Sequence, residues 1–143
     1  MKILIINGPN LNMLGIREPE IYGSMTLEQM NEKLAVEGNL LELELDFFQS
    51  NHEGAIIDRI QEAYGLMDGI IINPGAYSHY SYAIRDAIKS VDIKTVEVHL
   101  SDIANREYFR KTSVIEDVVE KQISGKGINS YFEALQYLKE HLK

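Results

Sequence analysis

Two stretches of this chain are apolar at every position and break off in nearly the same way. Ile3-Leu4-Ile5-Ile6 runs into Asn7-Gly8-Pro9, and Ile70-Ile71-Ile72 runs into Asn73-Pro74-Gly75. A strand with one wet face alternates apolar and polar residues. A strand without alternation is covered on both faces, as in a parallel sheet sandwiched between helices. The remaining segments fall into place around that constraint. Residues 2–7, 40–48, 69–73, 95–99 and 118–123 read as strands, and 26–36, 53–64, 81–89, 106–111 and 131–142 as helices. In the second strand Leu41, Leu43, Leu45 and Phe47 alternate with Glu42, Glu44 and Asp46, which suits a sheet edge. Thr26 is placed to cap the first helix, with Gln29 completing a capping box. Gly65 closes the second, and Tyr131, Leu135 and Leu138 recur at helical spacing in the last.

Strands alternating with helices predict an α/β fold, and five strands suit a flavodoxin-like three-layer sandwich with a parallel sheet in the order 2-1-3-4-5. With 143 residues, no repeat and no linker, the expectation is a single domain over 1–143. A chain of this length buries roughly 70% of its unfolded surface, so it needs no disulfide or metal to hold together. It has no cysteine, which removes thiolate catalysis and Cys-ligated zinc. The net charge of −8 argues against a nucleic-acid partner, because phosphate binding draws on clustered Lys and Arg. Only Lys2 precedes the first apolar run, and no run approaches the roughly 20 residues of a membrane span. A cytoplasmic protein with no membrane partner is the expectation.

Polar residues collect after the strands. Strand one ends in Asn7 to Asn12, strand three in Asn73 to His79, and strand four in Glu97-Val98-His99-Leu100-Ser101. In open α/β sheets, ligands bind beyond the carboxyl ends of the strands, where the strand order reverses. Amide, hydroxyl and imidazole groups there suit hydroxyls, and Arg17, Arg106 or Arg110 can fork a carboxylate, so a small, hydroxylated, anionic ligand is expected. Residues 15–24 hold Arg17 and Tyr22 between two glycines and read as a lid over that cleft. Plainer readings compete. Asn7-Gly8-Pro9-Asn10 is also ordinary turn chemistry. A lone His99 at the end of an apolar strand is commonly structural. Arg85-Asp86 and Arg106-Glu107 read as surface ion pairs. Spacing alone does not choose Tyr22 over Tyr77, Tyr80 or Tyr82 for any role. The four histidines lack H-x-x-x-H spacing, so no metal site is expected. No dinucleotide or Walker glycine motif opens the first helix, and no G-x-S-x-G elbow is present. A flavin-binding or receiver module is disfavoured too, because strand one lacks a Ser/Thr-rich phosphate loop and Asn73 stands where a receiver carries Asp.

Four segments, taken together, resemble type II 3-dehydroquinate dehydratases. They are Ile6 to Asn12 with Leu14 to Pro19 and Tyr22-Gly23; Gln49-Ser50-Asn51-His52-Glu53-Gly54; Asn73 to His79 with Ala83 to Ala87; and Glu97 to Ser101 with Arg106-Glu107 and Phe109-Arg110. They occur in the family's order and span nearly the whole chain. The resemblance implies a flavodoxin-like fold and a lyase without cofactor. It implies Tyr22 as base, Arg17 as the cation that activates it, and His99 as general acid. Asn10 and Glu97 would position the acid and a water near an enolate. Asn73, His79, Leu100, Ser101 and Arg110 would bind substrate, and Asp86 would reach a neighbouring subunit's site in a trimer. Four such trimers would form a dodecamer. The chain departs from the family pattern at Tyr80, Asp102, Ala104 and in Ile128-Asn129-Ser130.

The implied chemistry asks for these residue types. Tyrosinate is a strong base, with a reference pKa of about 10. Lowering it by about two units takes roughly 2.7 kcal/mol, within the reach of a nearby guanidinium in a closed site. The leaving hydroxyl needs a proton, which an imidazolium beside a carboxylate supplies. No Lys occurs in the four segments, which speaks against a Schiff base.

Overall fold

A computed structural model describes residues 1–16, 20 and 23–142. Five strands, β1 (Lys2–Asn7), β2 (Glu44–Gln49), β3 (Gly69–Asn73), β4 (Lys94–His99) and β5 (Lys121–Ser124), form one sheet in the order β2-β1-β3-β4-β5. Every pairing is parallel. Among the described residues, the long helices α1 (Leu27–Leu40), α2 (Glu53–Glu62), α3 (Tyr82–Val91) and α4 (Ile128–His141) cover it. The fold class and strand order are those expected from the unbroken apolar runs.

Period-two alternation sorts the sheet into two cores. Ile3, Ile5, Ile71, Val96 and Val98 face α1 and α4, packing on Met30, Leu34, Tyr131, Leu135 and Leu138. Leu4, Ile6, Ile70 and Ile72 face α2 and α3, packing on Ile56, Ile60, Ile84 and Ile88. Thr26 and Gln29 form the expected capping box, at 3.1 and 3.0 Å. Among the described residues, no helix is long and apolar enough to cross a membrane.

Boundaries differ where local patterns overlap. The alternation from Leu41 suggests strand, but α1 runs through Leu40 because Met30, Leu34 and Gly38 bury one helical face. Leu43 then donates its N–H to Gly38 O, Glu42 takes a left-handed turn, and β2 begins at Glu44. The expected helix at 106–111 is instead a short 3-10 turn, Tyr108–Lys111, with no buried residue to hold a longer helix. Residues 116–118 form another such turn, so β5 starts at Lys121. α4 begins at Ile128, three residues before the expected start.

Candidate active site

The loops after β1, β3 and β4 meet because the strands that carry them are neighbours. Asn7 and Asn73 are register partners at the carboxyl ends of β1 and β3. Immediately beyond them Gly8 donates its N–H to Asn73 O at 2.8 Å. A Cβ on Gly8 would sit 2.6 Å from Pro74 O, so only glycine lets the two backbones approach this closely. Asn10 then adopts the left-handed conformation (φ 70°), which Asn tolerates better than most residues. Its N–H is held by Asn51 Oδ1 at 2.9 Å. Gln49 Nε2 braces the same turn through Gly8 O and Asn51 Oδ1, both at 3.2 Å, and Tyr77 donates its hydroxyl to Asn51 O.

A cleft opens over these loops. Of the expected site residues, Asn10, Asn73, His79, His99, Leu100, Ser101 and Arg110 all line it, together with Gly75, Ala76 and Arg106. Glu97 lies beneath them, wholly buried. Asp86 sits on the exposed face of α3 and does not line the cleft of its own chain. Arg17 and Tyr22 lie outside the described residues.

β4 supplies a buried, hydrogen-bonded part of the site. Residues 97 and 99 are two apart and therefore share a face. Glu97 Oε2 accepts from His99 Nε2 at 2.5 Å, and Ser113 Oγ donates to the same carboxylate at 2.8 and 2.9 Å. A buried carboxylate persists when donors occupy its lone pairs, and these two side chains do so. With Nε2 on the carboxylate, His99 keeps Nδ1 for a ligand. The ring is anchored at Nε2 and at the same time lines the cleft.

His79 is tuned differently. Its Nδ1 lies 2.8 Å from Thr112 O, and a carbonyl can only accept, so that nitrogen carries the proton. Burial lowers the His79 pKa from its ordinary value, the bond to Thr112 O opposes this, and the neighbouring His99 and Arg110 add to the lowering while Glu97 raises it. The ring is therefore suited to stay neutral, with Nε2 as an acceptor for a hydroxyl. Arg110 pairs through Nε with Glu107, and its guanidinium lies 4.8 Å from the Phe109 ring. Arg106 Nη1 reaches Ser101 Oγ at 3.4 Å. Arg85 pairs with Asp117 and the carbonyl of Val114 rather than with Asp86.

Sequence reasoning passed over Ser113 and Tyr131. Ser113 sits in an irregular stretch without a pattern to mark it. Tyr131 falls at helical spacing among apolar residues and reads as core, which it is, at 0% exposure. Its hydroxyl nevertheless touches both Asn7 and Asn73. The departures from the family pattern are absorbed locally. Tyr80 is exposed and meets Tyr77 edge-on. Asp102 caps its own turn through Ala104 N and Asn105 Nδ2. Ser130 is buried and accepts from Lys126 N. Among the described residues no group of three or more His, Asp or Glu side chains is arranged to hold a metal.

The 3-dehydroquinate dehydratase of Caldicellulosiruptor saccharolyticus is 61% identical over 142 residues, covering 99% of this chain and 98% of that protein. The crystal structure of type II dehydroquinase from Butyrivibrio crossotus matches with a TM-score of 0.95 at 55% identity, over 96% of this chain and 97% of the other. That of the Propionibacterium acnes type II dehydroquinase matches with a TM-score of 0.94 at 40% identity, over 97% and 96%. The class II dehydroquinase profile matches residues 1–139. Sheet order, cleft and whole-length similarity agree, and the chain belongs to the class II dehydroquinase family.

Proposed function

We propose that this chain is a hydro-lyase that converts 3-dehydroquinate to 3-dehydroshikimate and water by anti elimination through an enolate, using neither a Schiff base nor a metal. The observation that carries the reading is the buried Glu97–His99 pair at the floor of a cleft ringed by hydroxyl- and carboxylate-binding groups. Tyr22, as the phenolate favoured by the Arg17 cation, takes the proton from the carbon beside the ketone. The electrons pass to the ketone oxygen as an enolate, which a water held by Asn10 stabilises. When the enolate collapses, the C–O bond at the β-carbon breaks, and His99 protonates the departing oxygen to give water. Glu97 keeps the imidazole oriented through its hydrogen bond with Nε2. His79 accepts from a ring hydroxyl, Asn73 donates to the substrate, and Arg110 helps fix the hydroxyls. The carboxylate rests on the Leu100 and Ser101 amides and the Ser101 hydroxyl. Asp86 serves the site of a neighbouring subunit, within trimers that assemble into a dodecamer.

The direct test follows a new conjugated enone in the ultraviolet on adding 3-dehydroquinate. Turnover is expected in the presence of chelator and of borohydride. Loss of activity with borohydride plus substrate would point to a lysine imine and reject this chemistry. His99→Gln is expected to lose about 10²–10⁴-fold in kcat, the usual weight of a general acid. Tyr22→Phe is expected to lose most turnover with the fold intact, and near-normal activity in that variant would reject the base assignment.

A further inference from the structure

The neighbouring strands β1 and β3 end in a polar contact that the elimination chemistry does not use. Asn7 and Asn73 are register partners, and both side chains point to the α4 side of the sheet. The Tyr131 hydroxyl lies between them. It donates to Asn7 Oδ1 at 2.5 Å and accepts from Asn73 Nδ2 at 2.9 Å. An amide nitrogen only donates, so the phenol oxygen must accept from Asn73 and spend its own proton on Asn7. Asn73 Oδ1 is meanwhile occupied by Gly75 N at 3.1 Å. The one donor left on the Asn73 side chain is its second N–H. Asn73 lines the cleft at 4% exposure, so that hydrogen is what it can offer a bound molecule.

A buried phenol needs hydrogen-bond partners that an apolar core residue does not. Tyr131 is wholly buried among Ile, Leu and Ala side chains, where phenylalanine would fill nearly the same space without asking for partners. The hydroxyl earns a place only through the two asparagines. These stand at the roots of the loops that carry Asn10 on one side and Gly75 to His79 on the other. From this geometry we infer that Tyr131 is a positioning residue, which fixes the Asn73 amide so that its free N–H faces the substrate. The inference rests on the activity proposed above. Without the hydroxyl, Asn73 Nδ2 loses its buried acceptor and is drawn out of its orientation.

The test is a double-mutant cycle on Tyr131→Phe and Asn73→Ala, read as kcat and KM for 3-dehydroquinate with melting temperatures alongside. Tyr131→Phe is expected to lower kcat/KM by about tenfold or more, with the same split between kcat and KM as Asn73→Ala. In the Asn73→Ala background, adding Tyr131→Phe is expected to cost less than about twofold, because the route through Asn73 is already cut. Should Tyr131→Phe fail to fold, Asn7→Ala replaces it in the cycle. Asn7 does not line the cleft, and its loss removes the acceptor that orients the Tyr131 hydroxyl. Fully additive losses, or kcat/KM unchanged in Tyr131→Phe, overturn the inference while wild-type turnover leaves the activity standing. Absence of turnover in the wild type overturns the activity itself and this inference with it.

Discussion

Glu97 is a carboxylate with no exposed surface, and what keeps it tolerable is the pair of donors on its two oxygens. Ser113 is one of them. Ser113→Ala is therefore expected to cost about 1–3 kcal/mol in urea unfolding, the range for a buried acceptor left short of a partner. A loss below a few tenths of that would mean the hydroxyl is incidental. His79 permits a second prediction, in pH. Its folded pKa is lowered, chiefly by burial, below the ordinary histidine value near 6.5. The unfolded chain then binds the proton more readily than the folded one. Above that value the site has no effect on stability. As pH falls below it, the unfolded state gains, and the fold is weakened until the folded ring also protonates. An NMR titration of the ring should give a midpoint below 6.5. His79→Gln should flatten part of the stability decline as pH falls below the ordinary histidine value. A midpoint at or above the ordinary value would contradict the burial argument.

At the level of elements, the sequence was most legible where one pattern stood alone. β1 and β3 have their observed ends written in the sequence, because Ile3 to Ile6 and Ile70 to Ile72 are unbroken and stop at Asn and Gly or Pro. The start of β2 is ambiguous in sequence because the end of a helix stripe and a strand alternation meet at Leu41 to Leu43, and the left-handed turn at Glu42 separates them. In the 101–119 stretch the patterns give out, yet this is where Thr112 and Ser113 reach His79 and Glu97. Contacts between residues 16 and 33 positions apart leave no local trace. For Asn10, Asn73, His79, Leu100, Ser101 and Arg110 the family resemblance supplied the residues, and the strand-end rule explained why they meet. Element packing also yields a prediction at Gly8. A methyl group there would press on the Pro74 backbone, which cannot swing aside as a side chain does. Gly8→Ala should destabilise by about 1–3 kcal/mol, a typical overpacking cost. It should weaken substrate binding too, because the Asn10 and Gly75 loops separate. A melt and a KM matching wild type would show that the loops adjust freely.

For the whole molecule, the surface is acidic overall, with a net charge of −8, but not uniformly polar. Tyr80, Tyr82, Tyr108 and Phe109 are each more than half exposed, and the first two flank the start of the helix that carries Asp86. Large aromatic side chains left in water favour self-association. Sedimentation at micromolar protein should therefore give species far heavier than the 16.3 kDa chain, and Asp86→Asn should lower kcat/KM without changing that mass. A monomer of full activity would separate the site from any neighbour. The position of the acid has a consequence of its own. Glu97 and His99 ride on one face of a strand flanked on both sides by others, so they move only as a couple. Deleting or inserting one residue upstream in β4 would turn both into the α4 core and present Val96 and Val98 to the opposite layer. Drift along this strand thus has no gradual route to a weaker proton donor; it either keeps the couple whole or loses it at once, and variation is left to the loops around it.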